Sequence, residues 1–583
     1  RTEVPVAHAP SHLRAYTRGL FVHERGFAMR RSILFAAVAG LCFTAAAQAA
    51  PAESVSSTSQ PFSAAITAQG FRAYDKAISS DTMDGRKPGT PGGERATAWI
   101  VEQFKALGLQ PGNHGSWFQK VPTVSTALEN PGKVKLTVGE GGSSQTFDFA
   151  KDLVASTLQA KPHVSIKDSD IVFVGYGVDA PEWNWNDYKG LDVKGQTVVV
   201  LVNDPGFGDH DASLFKGKAM TYYGRWTYKY EEAARKGAVG VMLVHKEQMA
   251  SYPWEVVRNS NSGEKSALKL EGPALKVASW IQLDVASRLA SASKLNLDKL
   301  MQDAQSKDFH PVNLNARLKA HMVSKVRNFE SNNVVAMLPG ADRKLAEEAV
   351  LYTAHYDHLG VRPEMPGDNI YNGADDNATG CGILLELARA FSSASQGPRR
   401  SILFAAVTAE EQGLLGSEYL GKHPPIPAGK IALNLNYDDV KPLGAPEEVE
   451  VSGAERTTFY PNVEATAKEF RLAIRPDARP DAGLFYRSDH FSMARVGIPS
   501  FSINEGTKYK GHPDSWGVEK EHEYVEKHYH QPSDEYHADM DFVGDSAMAR
   551  FGFALGWEAA SLPKLIGWQK GDEFEPTRTK SQQ

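Results

Sequence analysis

The sequence predicts a doubly wound α/β fold, a largely parallel sheet with helices on both faces, into which a second α/β module is inserted. Three observations predict it. Beyond Asn333, strand-length apolar runs alternate with helical segments in βα order. Ile402-Leu-Phe-Ala-Ala-Val407 is a continuous apolar run bounded by polar residues, the pattern of a parallel strand buried on both faces. Residues 165–325 have a different texture, with short Val-rich strands, Gly and aromatics, which marks a separate module.

At 583 residues the chain is too long for a single ordinary core. It divides on paper into an upstream extension and signal peptide (1–49), an N-terminal part of the main domain (63–160), the insert (165–325), the main part (326–565) and a polar tail (566–583). Met29-Arg30-Arg31, the apolar run Ile33 to Ala47 and the small residues around Gln48 have the form of a secretory signal with a cleavage site. Removing residues 1–49 takes away six arginines and two glutamates, so the net charge moves from −6 to −10. An acidic, exported protein without another long apolar run is expected to be soluble, in the periplasm or outside the cell, with no membrane anchor. Its charge excludes a basic nucleic-acid surface. Only Cys381 remains after cleavage, so no intramolecular disulfide is expected. The oligomeric state is not legible.

The elements follow in order. Ala96 to Leu107 has helical periodicity after the turn-rich stretch Asp84–Gly93, and Gly108 is a C-terminal stop. In the insert, Ile171–Val174, Thr197–Val202 and Val239–Val244 are strands and Tyr228–Lys236 a helix. In the main part, strands are predicted at Ala349–Ala354, Ile402–Thr408, Ile431–Tyr437 and Ile498–Ile503, with helices at Gly382–Phe391 and Leu415–Lys422. The string Arg-Arg-Ser-Ile-Leu-Phe-Ala-Ala-Val occurs at both 30–38 and 399–407. Its flanks differ, so context makes one copy a signal core and the other a buried strand.

In open α/β sheets sites form beyond the carboxyl ends of strands. There the sequence places His355-Tyr-Asp357-His358, Gly373-Ala-Asp375-Asp376-Asn377, Ala409-Glu410-Glu411 and Asp438-Asp439, and later His530-Gln-Pro-Ser-Asp534. Singly, each reads as a cap, a turn or a polar loop. Together they form a set of imidazoles and carboxylates without thiolate, suited to Zn²⁺. A carboxylate can bridge two ions, and two ions ~3.5–4 Å apart polarise a carbonyl and acidify a shared water. A further carboxylate is needed as general base.

The motifs HYDHLG, GADDNATG, AEEQGLLGS, LNYDD, FYRSDH and YHQPSDE, with GRKPGTPGGERA upstream, resemble the zinc exopeptidase family of bacterial leucyl aminopeptidases and glutamate carboxypeptidase II. The resemblance implies two Zn²⁺ per chain. It implies His355 and Asp438 on one zinc, Glu411 and His530 on the other, and Asp376 bridging. Asp357 would orient His355, and Glu410 would be the general base of a peptidase acting on peptides, an aminopeptidase first. Asn436 is the alternative to Asp438 under a register slip, and His528 the alternative to His530. A carboxypeptidase or dipeptidase would use the same metals with a cationic pocket, for which Arg487 and Arg225 are available. A one-zinc glutaminyl cyclase and a non-catalytic receptor-like relative are the remaining readings. The insert resembles the protease-associated domain through DIVFVGYGV, DYKGLDVKGQTVVVLVNDPGF and YKYEEAARKGAVGVMLV. Tyr222-Tyr-Gly-Arg-Trp226 within it is a candidate for substrate contact.

Overall fold

A computed structural model describes residues 63–131, 135–140, 143–207, 213–261, 263–269 and 272–583. The predicted signal segment and Cys42 lie outside the described residues.

The chain begins with helix α1 (Ala68–Ile78), whose N-cap Thr67 accepts a hydrogen bond from Gly70 N at 3.1 Å. Helix α2 spans Pro91–Ala106. It starts five residues earlier than the periodicity predicts, because Thr90 caps it and Pro91 is pre-set for the first turn. The sequence reading gave those residues to a turn because Gly92 and Gly93 mask the helical signal. Strand β1 is Phe118–Leu128.

Strand β2 (Leu153–Ser156) lies in the segment assigned above to the N-terminal part, yet its partner is β6 (Val277–Gln282). Between them come β3 (His163–Phe173), β4 (Thr197–Leu201), helix α3 (Trp226–Arg235) and β5 (Gly240–His245). Then comes β7, a single 27-residue strand from Val312 to Leu338. The main part follows with β8 (Ala349–His355), α4 (Thr379–Ser392), β9 (Ser401–Val407), α5 (Leu415–Lys422), β10 (Ile431–Asn436), β11 (Glu448–Glu450), β12 (Ala473–Arg475), β13 (Ser500–Ser502), β14 (Asn504–Glu505), α6 (Trp516–Lys527) and α7 (Val543–Ser561).

The sheet order is β13-β10-β8-β9-β7-β3-β4-β5-β6-β2. The runs β13-β10-β8-β9 and β3-β4-β5-β6 are parallel; β7 is antiparallel to both its neighbours. All seven residues of β8 and of β9 are buried, as two-sided parallel strands require. Among the described residues two large hydrophobic cores result, with three smaller clusters beside them. One runs from Phe147 to Met322, the other from Ile66 to Ile566. Leu314, Ala316, Leu318, Ala320 and Met322 of β7 pack into the first, and Val334 and Ala336 into the second. Helix α7 lies close on the sheet of the main part, where Tyr352 OH donates to Gly552 O at 2.8 Å. Among the described residues no helix is long and apolar enough to cross a membrane.

Parallel β8, β9 and β10 end together, so their carboxyl ends deliver three short polar segments to one place. The segment ahead of α4 joins them.

Candidate metal centre

His355 closes β8 and is 1% exposed. Its Nε2 lies 3.3 Å from Asp376 Oδ1 and 3.1 Å from Asp438 Oδ1. On the other side of Asp376, His530 Nε2 lies 3.2 Å from Oδ2 and 3.0 Å from Glu411 Oε2. The two oxygens of one carboxylate therefore face two different histidine–carboxylate groups. All five ligands that the resemblance implies meet here. His355, Asp376 and Asp438 bring their donor atoms within 4.8 Å of one another, and so do His358, Asp376 and Glu411.

Burial works against the His355 imidazolium, but Asp438 and Asp376 outweigh it and hold its pKa well above the usual histidine range. Burial likewise opposes the His530 cation, while Asp376 and Glu411 lift it to about 10. Without a cation the pocket holds protons where its carboxylates demand positive charge. Glu411 Oε1 and His530 Nε2 are buried and make no well-formed hydrogen bond, although His358 Nδ1 stands at ion-pair distance from the first and the carboxylates of Asp376 and Glu411 from the second. A buried, convergent N/O donor set with such orphaned atoms fits zinc.

The surrounding shell explains why the ligands stand where they do. His355 Nδ1 is 3.2 Å from the backbone O of Asp357 and 3.9 Å from its Oδ1. Asp357 Oδ1 accepts from Glu410 N at 3.2 Å, so one residue touches both the first histidine and the segment of the expected base. Asn436 lies inside β10, where its Oδ1 accepts from Thr353 Oγ1 at 2.7 Å and its Nδ2 donates to Ser488 Oγ at 2.9 Å. Ser488 in turn donates to Asp438 Oδ2. His528 is turned to the Ser533 carbonyl, 3.0 Å from Nδ1.

Several residues at the site carried no role in the sequence reading. His358 is fully buried, with Nδ1 2.6 Å from Glu411 Oε1. Its signal was the second histidine of HYDH. Asp534 accepts from Asp375 N at 2.9 Å and Asp376 N at 3.2 Å, fixing the peptide that carries the bridging carboxylate. Arg86, fully buried, donates to Tyr356 O at 2.6 Å, Ile78 O at 3.0 Å, Gly373 O at 2.9 Å and Asn372 O. It staples the His355 segment to the Asp376 segment from beneath. Gly373 is required between them: its φ is +60°, and a Cβ there would stand 2.6 Å from the His358 ring.

A cavity of about 480 Å³ opens beside the centre, with Asp376, Glu410 and Asp438 in its wall. Burial, with Asp438 and Glu411 adding to it, pushes the Glu410 carboxyl well above the usual range against the pull of His355. Arg487 is in the same wall and donates to Ala482 O at 2.8 Å. Burial, and the charge of Arg487, lower the Arg225 guanidinium to about 10. Residues Tyr222 to Trp226 are not part of this wall. Instead Tyr222 N donates to Glu573 Oε2 at 3.0 Å and its ring packs on Phe491, joining the insert to the main part.

Residues 333–550 match the model of peptidase family M28. The chain is 28% identical over 251 residues to leupeptin-inactivating enzyme 1 of Streptomyces exfoliatus, covering 42% of this chain and 51% of that protein. It is 42% identical over 89 residues to a probable zinc metalloprotease of Leptosphaeria maculans, covering 15% and 20%. The chain thus spans about half the length of the first relative and a fifth of the second. Among solved structures, an aminopeptidase from Aneurinibacillus sp. strain AM-1 aligns over 86% of this chain and 95% of its own, at 18% identity and a TM-score of 0.45.

Proposed function

We propose that the chain, whose residues 333–550 match the model of peptidase family M28, is a zinc exopeptidase removing single residues from the amino end of peptides. The observation that supports this reading is Asp376, whose two oxygens face His355 and His530 separately. His355 and Asp438 would hold one zinc, Glu411 and His530 a second, with Asp376 shared. Zinc, when bound, polarises the scissile carbonyl and acidifies water. Glu410 stands in the cavity wall, takes the proton of the attacking water and returns it to the leaving amine. Asp357 anchors the Glu410 backbone, which keeps that carboxylate aimed at the cavity. Asp534 and Arg86 hold the Asp376 segment still while charge develops above it.

Amino-end specificity is favoured by the charge of the cavity. Two zinc ions would offset Asp376 and Asp438, and the five carboxylates that remain, Glu410, Asp439, Glu450, Glu505 and Glu521, outnumber the three cations, Lys441, Arg475 and Arg487, which favours an ammonium group over a terminal carboxylate. Carboxy-end specificity has one observation in its favour, the Arg487 guanidinium in the wall with no carboxylate partner among the described residues. The signal-like segment ahead of residue 50 supports an exported enzyme, periplasmic or extracellular.

The test is to assay aminoacyl p-nitroanilides against their N-acetylated forms, with chelator and with restored zinc. Cleavage of free-amine substrates alone, lost on chelation and regained with zinc, is the expected result. Cleavage only of peptides with free carboxyl ends would transfer the proposal to a carboxypeptidase. No cleavage of either kind by zinc-loaded protein would end the exopeptidase reading.

A further inference from the structure

The wall of the cavity away from the metal centre is ionisable rather than apolar, and its internal pairing leaves acid over. Lys441 Nζ is 2.7 Å from Asp439 Oδ1, and Arg475 Nη1 is 3.3 Å from Glu450 Oε2. These two pairs account for two of the three cations. Glu505, on β14, accepts from Lys441 N at 2.6 Å and from Tyr509 OH at 3.3 Å, both through Oε1. Its Oε2 is buried and receives no hydrogen bond, and neither does Oδ1 of its neighbour Asn504. Both residues line the cavity, and Glu521, without an ion-pair partner among the described residues, stands in the wall on α6.

Each of these oxygens, buried and unpartnered, is costly unless something donates to it. Burial pushes the Glu505 carboxyl up to about 7, with Lys441 opposing and Asp439 adding to the rise. A buried carboxylate oxygen with no donor suits a ligand group that is all donor, which an ammonium or guanidinium is. The approach to them is amphipathic, with Leu443, Tyr509, Tyr524 and Val525 in the wall. An aliphatic stem can lie along such a surface while its charged tip reaches the acid. The cavity, at about 480 Å³, is in the lower part of the ~300–1,000 Å³ range of small-molecule sites, which fits one side chain better than a run of peptide.

We infer that the Asn504–Glu505 edge, with Glu521 beside it, is a specificity site for a basic side chain. On the amino-end exopeptidase reading, on which this rests, the enzyme releases lysine or arginine in preference to leucine.

Norleucine has the lysine stem without the ammonium, so the pair isolates the charge. The full zinc-loaded chain is assayed on lysyl and norleucyl p-nitroanilides, and binding of L-lysine and L-norleucine is measured by calorimetry. The expected kcat/KM ratio of lysyl to norleucyl substrate is about tenfold or more, the size of one charge-assisted hydrogen bond. Glu505→Gln keeps the acceptor for Lys441 N and is expected to bring the ratio close to one. Glu521→Gln, on the solvent side of α6, is expected to lower it two- to threefold without any risk to folding. A norleucyl preference, or a ratio unmoved by both substitutions, overturns the inference. If neither nitroanilide is cleaved yet lysine binds tenfold tighter than norleucine and Glu505→Gln abolishes the difference, the site stands and the exopeptidase reading falls. Equal binding of the two amino acids overturns the site itself.

Discussion

Replacing Arg86 by methionine keeps an unbranched stem in place of the first part of the side chain and removes its charge and donors. Four buried carbonyls, of Ile78, Tyr356, Asn372 and Gly373, then lose their partner. A buried acceptor left unsatisfied costs about 1–3 kcal/mol, so four cost about 4 kcal/mol at the lower bound. The guanidinium also feels the charge of several buried acids, Asp534, Asp75 and Asp357 among them. Removing one member of a buried charged network costs about 3–5 kcal/mol, which arrives at the same figure by another route. Urea unfolding of the zinc-loaded chain should therefore show a loss of about 4 kcal/mol. Equilibrium dialysis should show weaker zinc binding, because three of the four carbonyls lie on the segments that present His355 and Asp376. Arg86→Lys, with three donors for four carbonyls, should fall between. A loss below about 1 kcal/mol for Arg86→Met, the net worth of a single hydrogen bond, with zinc binding unchanged, would refute the stapling argument.

The other predictions concern the site itself. Glu410→Gln should lower kcat by about 10²–10⁴-fold while bound zinc, measured by elemental analysis, stays the same; a parallel loss of zinc would make Glu410 a ligand instead of a base. Asp376→Asn turns one of the two metal-facing oxygens into an NH₂ group, so tightly held zinc should fall from two ions to one. His490 is 2% exposed, and burial lowers its pKa to about 4. In the unfolded chain it takes up its proton near pH 6.5, so the folded state binds fewer protons between those values and stability is lost as pH falls from 6.5 to 4. The loss attributable to it is about 3 kcal/mol. Melts in chelator across that range should be flatter for His490→Asn than for the wild type, and identical slopes would dismiss the effect.

The sequence revealed the strands that end at the site because they are buried on both faces, and such runs announce themselves by composition. Thus β9 was placed to within one residue at each end, and α5 at Leu415–Lys422 without error. Strand β7 went unread although its alternation is regular over Leu314 to Met322. Its period-2 signal is written in Ala, Lys, Arg and His as much as in large apolar residues, and a search for Val-rich runs passes over it. At the site, the ligands were legible because their chemistry is unusual in combination. His358 was not, since an imidazole buried behind a ligand looks the same in sequence as a ligand. Arg86 was not, because its partners are backbone carbonyls, which every residue has, and nothing in the side chains around residues 356, 372 and 373 marks them as acceptors. Glu505 and Asn504 are ordinary polar residues after a short strand. Only the closing of the cavity around them makes their missing donors visible.

Strand β7 has a mechanical consequence. Domains that swing usually do so on a slack linker of a few residues. Here the two cores share one uninterrupted backbone, laddered to β3 at one end and to β9 at the other, with β1 along part of its length. Relative motion of the insert must therefore be torsion of a ribbon, distributed over many peptide units. The ladder to β3 already absorbs two irregularities, one around Asn315, whose φ is +47°, and one between Leu318 and Ala320. The same ribbon borders β9, whose end delivers Glu410 and Glu411. Excising the insert would cut β7 in two, removing the part laddered to β3 and leaving Val334–Leu338 on β9 as a short remnant of the ribbon.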